Sequence, residues 1–188
     1  MNLAVLDEDA PATPSEQWLL ANSIAHVLYH IPEWNLLGGG DYSQQKFDAE
    51  PNWLLEGAAA WFAQDVLAAN GFAPENDVVR NAVAARAKGF PGLVAWEKYD
   101  SLGTVKVANT SLPRGLEFAA VAEVAQMLVD RSSANAVLYD YWAARATSTD
   151  PWKTTFKQVF GLSADDFYTQ VSTHFADLAN GATTTTTR

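Results

Sequence analysis

His26, His30 and Glu56 are the residues of this chain whose types and spacing could do metal chemistry. Two of the three histidines lie four residues apart in Ala25-His-Val-Leu-Tyr-His30, which is about one helical turn, so both imidazoles would project from one helix face. The carboxylate follows in Asn52-Trp-Leu-Leu-Glu56-Gly-Ala-Ala-Ala, a second run of helical character. Imidazole nitrogens and carboxylate oxygens are ordinary zinc ligands, and catalytic zinc takes three protein ligands with a fourth position left for water. Random placement of three histidines gives a pair four apart in only about 3% of such chains, counted as a template match. Against the metal stands a simpler alternative: partly buried histidines hydrogen-bonded to backbone.

The elements that must position these side chains read as helices. Thr13-Pro14-Ser15-Glu16 is a capping sequence, with Thr13 as cap, Pro14 at the first helical position and Glu16 closing the capping box. The first helix is expected from about Pro14 to Ile31, ended by Pro32. Its core stripe is expected to be Leu20, Ile24, Val27, Leu28 and Ile31, with Asn22, His26, Tyr29, His30 and Glu33 towards a neighbouring face. Residues 32–50, with Leu36-Leu-Gly-Gly-Gly40, form a long connection, a candidate rim loop. A second helix starts at Pro51, with Leu55, Ala59, Phe62 and Val66 as core, and stops at Gly71 after Asn70. A third is expected over Glu75 to Lys88. Residues 89–114 are broken by Pro91, Gly92, Gly103 and Pro113 and hold at best one short strand, Thr104 to Val107. Four further helices are expected over Gly115 to Asp130, Ser133 to Arg145, Pro151 to Phe160 and Ser163 to Leu178.

Composition bounds what this assembly can be. The 188 residues suffice for one domain with a real core, and 48% apolar with 12% aromatic content excludes a generally disordered chain. A formal charge of -10 gives phosphate backbones no electrostatic attraction, so nucleic acid is not an expected partner. The absence of cysteine removes disulfides and thiol chemistry. No apolar run reaches the roughly 20 residues needed to span a bilayer, and Met1 to Asp7 lacks the character of a signal peptide. The expected organisation is an extended segment over 1–12, a helical domain over 13–180 and a Thr-rich tail over 181–188.

His26-Val-Leu-Tyr-His30 followed by Trp53-Leu-Leu-Glu56-Gly-Ala-Ala-Ala-Trp61 resembles the two active-site helices of gluzincin metallopeptidases, the thermolysin-like and aminopeptidase-like branch of the zincins. That family carries His-Glu-x-x-His and then a third zinc ligand on a second helix, often as Trp-Leu-x-Glu-Gly-x-Ala. Phe118 to Asp130 and Trp152 to Phe167 resemble the later helices of small bacterial members. The resemblance implies a mainly α, zincin-like helical domain of about seven helices. Only about a dozen residues precede the first helix, so, in departure from the family, the N-terminal sheet is expected to be largely absent and the chain to be either a fragment or a shortened relative. The resemblance also implies zinc on His26, His30 and Glu56.

Besides the missing sheet, whose loss removes substrate alignment, two departures bear on activity. Val27 stands where the family has its catalytic glutamate, the group that takes a proton from zinc-bound water and passes it to the leaving amine. No tyrosine lies around Leu112 to Leu116, where small relatives place an oxyanion-stabilising one. Loss of a general base removes about two to four orders of magnitude of rate, so no catalytic residue is assigned. Among substitute carboxylates Glu33 ranks ahead of Glu16 and Glu117, although an exposed acid at a helix end is its simpler reading. The expectation is a zinc-retaining domain with a binding or structural role, taking peptide or protein in a remnant cleft. The alternatives are a zinc hydrolase with a displaced carboxylate and a metal-free helical scaffold. His174 is expected at the surface, Val27 in packing, and Tyr29, Tyr42, Trp53 and Trp61 either in the core or along the cleft. Acidity, absence of cysteine and the Thr-rich tail lean towards an exported bacterial protein.

Overall fold

A computed structural model describes residues 14–38, 49–72, 87, 92–97 and 116–181. Among these the chain is mainly helical, with six α-helices and no strand. They are α1 (Pro14–Leu36), α2 (Asn52–Ala69), α3 (Leu116–Arg131), α4 (Tyr141–Thr147), α5 (Trp152–Phe160) and α6 (Ala164–Ala179). A 3-10 turn at Leu93–Trp96 precedes α3, and a π-helical stretch, Ala136–Asp140, leads into α4. The segment expected over 1–12, the strand at Thr104 to Val107, nearly all of the helix over Glu75 to Lys88 and the tail beyond Gly181 lie outside the described residues. No helix among the described residues is long and apolar enough to cross a membrane.

α2 is the axis of the structure, packing on α1 along one side and α3 along another. Its sequence is apolar nearly all round, and a helix of that kind needs neighbours on every side. Trp53, Leu54, Leu55, Gly57, Ala58, Ala59, Ala60 and Trp61 are accordingly all buried. The small residues of Gly57-Ala58-Ala59-Ala60 let the neighbours approach. A Cβ added at Gly57 would lie 2.7 Å from the Val121 carbonyl oxygen on α3, so only glycine permits this crossing.

Where α2 starts is set by its surroundings. Pro51 provides no side-chain cap, and the Asn52 N–H instead donates to the Glu97 carbonyl oxygen just after the 3-10 turn, at 3.1 Å. One residue on, the Trp53 indole lies among Trp152, Phe156, Phe167 and Tyr168, with ring centroids 5.7–6.5 Å apart. Its N–H donates to the Tyr168 hydroxyl at 2.9 Å, which itself donates to Glu97 at 2.8 Å. Aromatic contacts of this kind contribute beyond their buried area. They hold the first turn of α2, and with it Glu56 one turn later.

Several helix ends sit where their chemistry places them. Gly71 and Gly161 adopt φ of +77° and +73°, left-handed conformations that only glycine takes without strain. Ser163 caps α6 by accepting from the Asp166 N–H at 3.1 Å.

α1 departs from expectation in two ways. It does not end at Pro32 but continues to Leu36. Leu28, whose carbonyl loses its helical donor to the proline ring, is exposed, so water can take that bond. More consequentially, Leu20, Ile24, Val27, Leu28 and Ile31 are exposed rather than buried. The face carrying Tyr29, Glu33 and Leu37 is the buried one. At about 100° per residue the two faces are almost opposite, so inward placement of one forces the other into solvent.

Candidate metal centre

The three ligand candidates are held by two helices. His26 and His30 lie one turn apart on α1, and Tyr29 between them fixes the helix's rotation. The Tyr29 hydroxyl donates to the Leu138 carbonyl of the π-helical stretch at 2.7 Å, and its ring meets Phe62 of α2 at 5.1 Å. Glu56 lies on the second turn of α2, one turn after the anchored Trp53.

The structure brings His26, His30 and Glu56 together, with one ligand atom from each inside a 4.8 Å group that could hold a metal ion. The atoms that converge are the two Nε2 nitrogens and Glu56 Oε2. His26 Nε2 lies 3.2 Å from His30 Nε2 and 3.0 Å from Glu56 Oε2, and His30 Nε2 lies 3.7 Å from Glu56 Oε2. A tetrahedral ion with ligands at zinc's usual distances of about 2.0–2.1 Å has ligand-to-ligand edges of about 3.3 Å. The triangle brackets that edge, and its two imidazoles and one carboxylate suit the ion chemically, so the residues fit the group. Side-chain exposures of 16–26% leave the cluster partly open to solvent. The Phe118 ring borders it, with its centroid 5.2 Å from that of His26.

Without a metal, protons must hold this triangle. Burial disfavours the charged form of His30, but the hydrogen bond to Glu33 and the nearby Glu56 carboxylate outweigh it and lift its pKa to about 10. Burial likewise pushes Glu56 up, and the hydrogen bond from His26 together with the nearby His30 imidazole more than reverses this, bringing it down to about 2. The same pocket therefore favours positive charge on the imidazole side and negative charge at Glu56.

Glu33 overturns the expectation of an exposed helix-end acid. It is completely buried, and its Oε2 lies 2.7 Å from His30 Nδ1. Burial raises its pKa to about 7, with His30 opposing that rise. Its Oε1 is also buried and has no hydrogen-bond partner among the described residues. Sitting on Nδ1, Glu33 is on the side of the ring away from the Nε2 triangle, behind a ligand rather than facing the open position. The signal for this role was its three-residue spacing from His30, which puts both on one helix face. The side chains of Glu16 and Glu117 lie outside the described residues.

Val27 is 56% exposed, so its expected packing role does not hold. Trp53, Trp61 and Tyr29 are buried core residues, and Tyr42 lies outside the described residues. His174 is not a free surface residue: its Nε2 lies 2.9 Å from Glu123 Oε1 and ties α6 to α3. Comparison with protein-family models, with curated proteins and with solved structures finds no match, so the case for this site rests on its own geometry.

Proposed function

We propose that this chain is a gluzincin-like zinc-binding domain in which the ion, held by His26, His30 and Glu56, pins α1 to α2 and the peptidase general base is missing. The observation that carries this reading is the triangle of Nε2, Nε2 and Oε2 atoms spaced like the edges of a zinc tetrahedron. Zinc, when bound, supplies a Lewis-acidic charge and a cross-link between two helices.

The chain's own residues argue for binding rather than hydrolysis. Val27 follows His26 where the gluzincin glutamate would stand, and it can neither take nor give a proton. Glu33, the first-ranked substitute, is engaged on His30 Nδ1 and points away from the open side of the ligand triangle. What remains is a partly open cluster beside Phe118 that can present the ion to a peptide or protein group.

Metal analysis after purification without added zinc, followed by thermal unfolding with zinc and with chelator, tests this. Zinc at about 100 times its dissociation constant stabilises by about 2.7 kcal/mol, which raises the melting temperature by about 5–10 °C in a chain of this size. His26→Ala and Glu56→Ala are each expected to abolish that shift and the copurifying metal. Unchanged metal content and melting temperature in both variants would sink the metal reading and leave a metal-free helical scaffold. Chelator-sensitive peptide hydrolysis by the native chain would favour the hydrolase instead.

A further inference from the structure

We infer that Glu33 is a positioning residue for the zinc site, locking His30 in the tautomer that offers Nε2 to the metal. This rests on the zinc-binding reading above and adds to it a residue outside the ligand set.

The argument begins from cost. A carboxylate removed completely from water is expensive to bury unless charge and hydrogen bonds compensate it. Glu33 is completely buried, yet among the described residues Oε1 has no partner and the imidazole of His30 is what meets Oε2. The neighbouring polar group on the same face, the Tyr29 hydroxyl, donates its proton to the Leu138 carbonyl. A divalent cation on the far side of the ring would supply compensating charge to Glu33 through a neutral imidazole. An ion on Nε2 makes Nδ1–H a stronger donor, and the 2.7 Å separation is at the short end for a charge-assisted N–H···O bond.

Orientation follows from the same contact. A neutral imidazole carries one proton, and a carboxylate acceptor at Nδ1 keeps it there, leaving the Nε2 lone pair for the triangle with His26 and Glu56. Carboxylates behind metal-bound histidines fix ring orientation in this way, and their loss typically costs 10–100-fold in metal affinity. Continuation of α1 through Pro32 is what makes the contact available. A helix ending at Ile31 would not carry Glu33 at helical spacing from His30.

The test combines zinc competition titrations of the full chain with nitrogen-15 NMR of its histidines. Glu33→Gln, which keeps an acceptor but loses the charge, is expected to weaken zinc binding about 10-fold, and Glu33→Leu about 100-fold. The zinc-loaded native protein should show His30 protonated at Nδ1, slow to exchange, and ligating through Nε2, a measurement that needs no variant to fold. A role confined to folding would instead lower the melting temperature of the metal-free variants and leave the zinc affinity of the folded protein unchanged. Native zinc binding together with affinity of Glu33→Gln within twofold of native, or with ligation through Nδ1, overturns this inference alone. A native chain that takes up no zinc overturns the metal reading and this inference with it.

Discussion

At the scale of single residues, the centre consists of three ligand candidates, one buried carboxylate behind them and one valine beside them. Val27 is the informative one, because its 56% exposure separates chemistry from packing. Replacing it removes no core contact of weight, so Val27→Glu is expected to keep the native melting temperature, with a stability change within about 0.5 kcal/mol. The variant puts a carboxylate directly after His26, in the gluzincin order. Chelator-sensitive hydrolysis appearing in Val27→Glu and not in the native chain is the expected pattern in a peptide cleavage assay. A drop in stability of several kcal/mol would show that Val27 is packed after all.

At the scale of elements, the site depends on how closely α2 meets its neighbours. At Gly57, next to Glu56, the α3 backbone comes so close that an added Cβ would lie 2.7 Å from the Val121 carbonyl oxygen. The Gly57→Ala methyl would meet backbone rather than a movable side chain, and overpacking of this kind costs about 1–3 kcal/mol. Chemical denaturation should show that loss, accompanied by weaker zinc binding as Glu56 shifts with its helix. The approach to α2 is held independently. Glu50 is buried and accepts from Arg145 Nε at 2.6 Å and from the Tyr141 hydroxyl at 2.5 Å. Arg145 in turn donates to the Asp150 carbonyl at 2.6 Å. This ties the residues before α2 to α4 and to the start of α5. Removing one partner of a buried pair strands the other charge, so Glu50→Ala is expected to cost about 3–5 kcal/mol in a denaturant titration. A loss below about 1 kcal/mol would mean that water reaches Arg145 freely.

At the scale of the whole molecule, three hydroxyls join helices across the core and limit its tolerance of alkali. Burial raises the pKa of Tyr29, Tyr141 and Tyr168, and the nearby carboxylates Glu33, Glu50 and Glu97 respectively raise them further. An unfolded tyrosine ionises near pH 10. Below that pH these groups make no demand, whereas above it the unfolded chain releases protons that the folded one retains, and stability falls as pH rises. Phenolate absorbance of these three is therefore expected to appear only together with the loss of helical circular dichroism. Phenolate formation at pH 10 by all tyrosines, with the helix signal intact, would contradict their burial.

Much of the layout was legible from sequence because its causes are local. Gly71 and Gly161 stop helices through backbone conformation, Ser163 starts one through its hydroxyl, and four-residue spacing alone puts His26 and His30 on one side of a turn. The convergence of that pair with Glu56 was legible as a motif. Which face of α1 turns inward was not. Its most regular apolar stripe, Leu20 to Ile31, is exposed, while a mixed polar and aromatic face is buried. Periodicity reports that a helix has two faces, but the choice between them belongs to the partners: Phe62 against Tyr29, the Leu138 carbonyl and Glu56. The same holds for Glu33 and His174, whose partners His30 and Glu123 decide their burial. By itself the sequence determined the helices of the described residues, most of their ends and the candidate ligands. Tertiary structure decided which charges are buried, because burial depends on contacts between segments that local spacing does not encode.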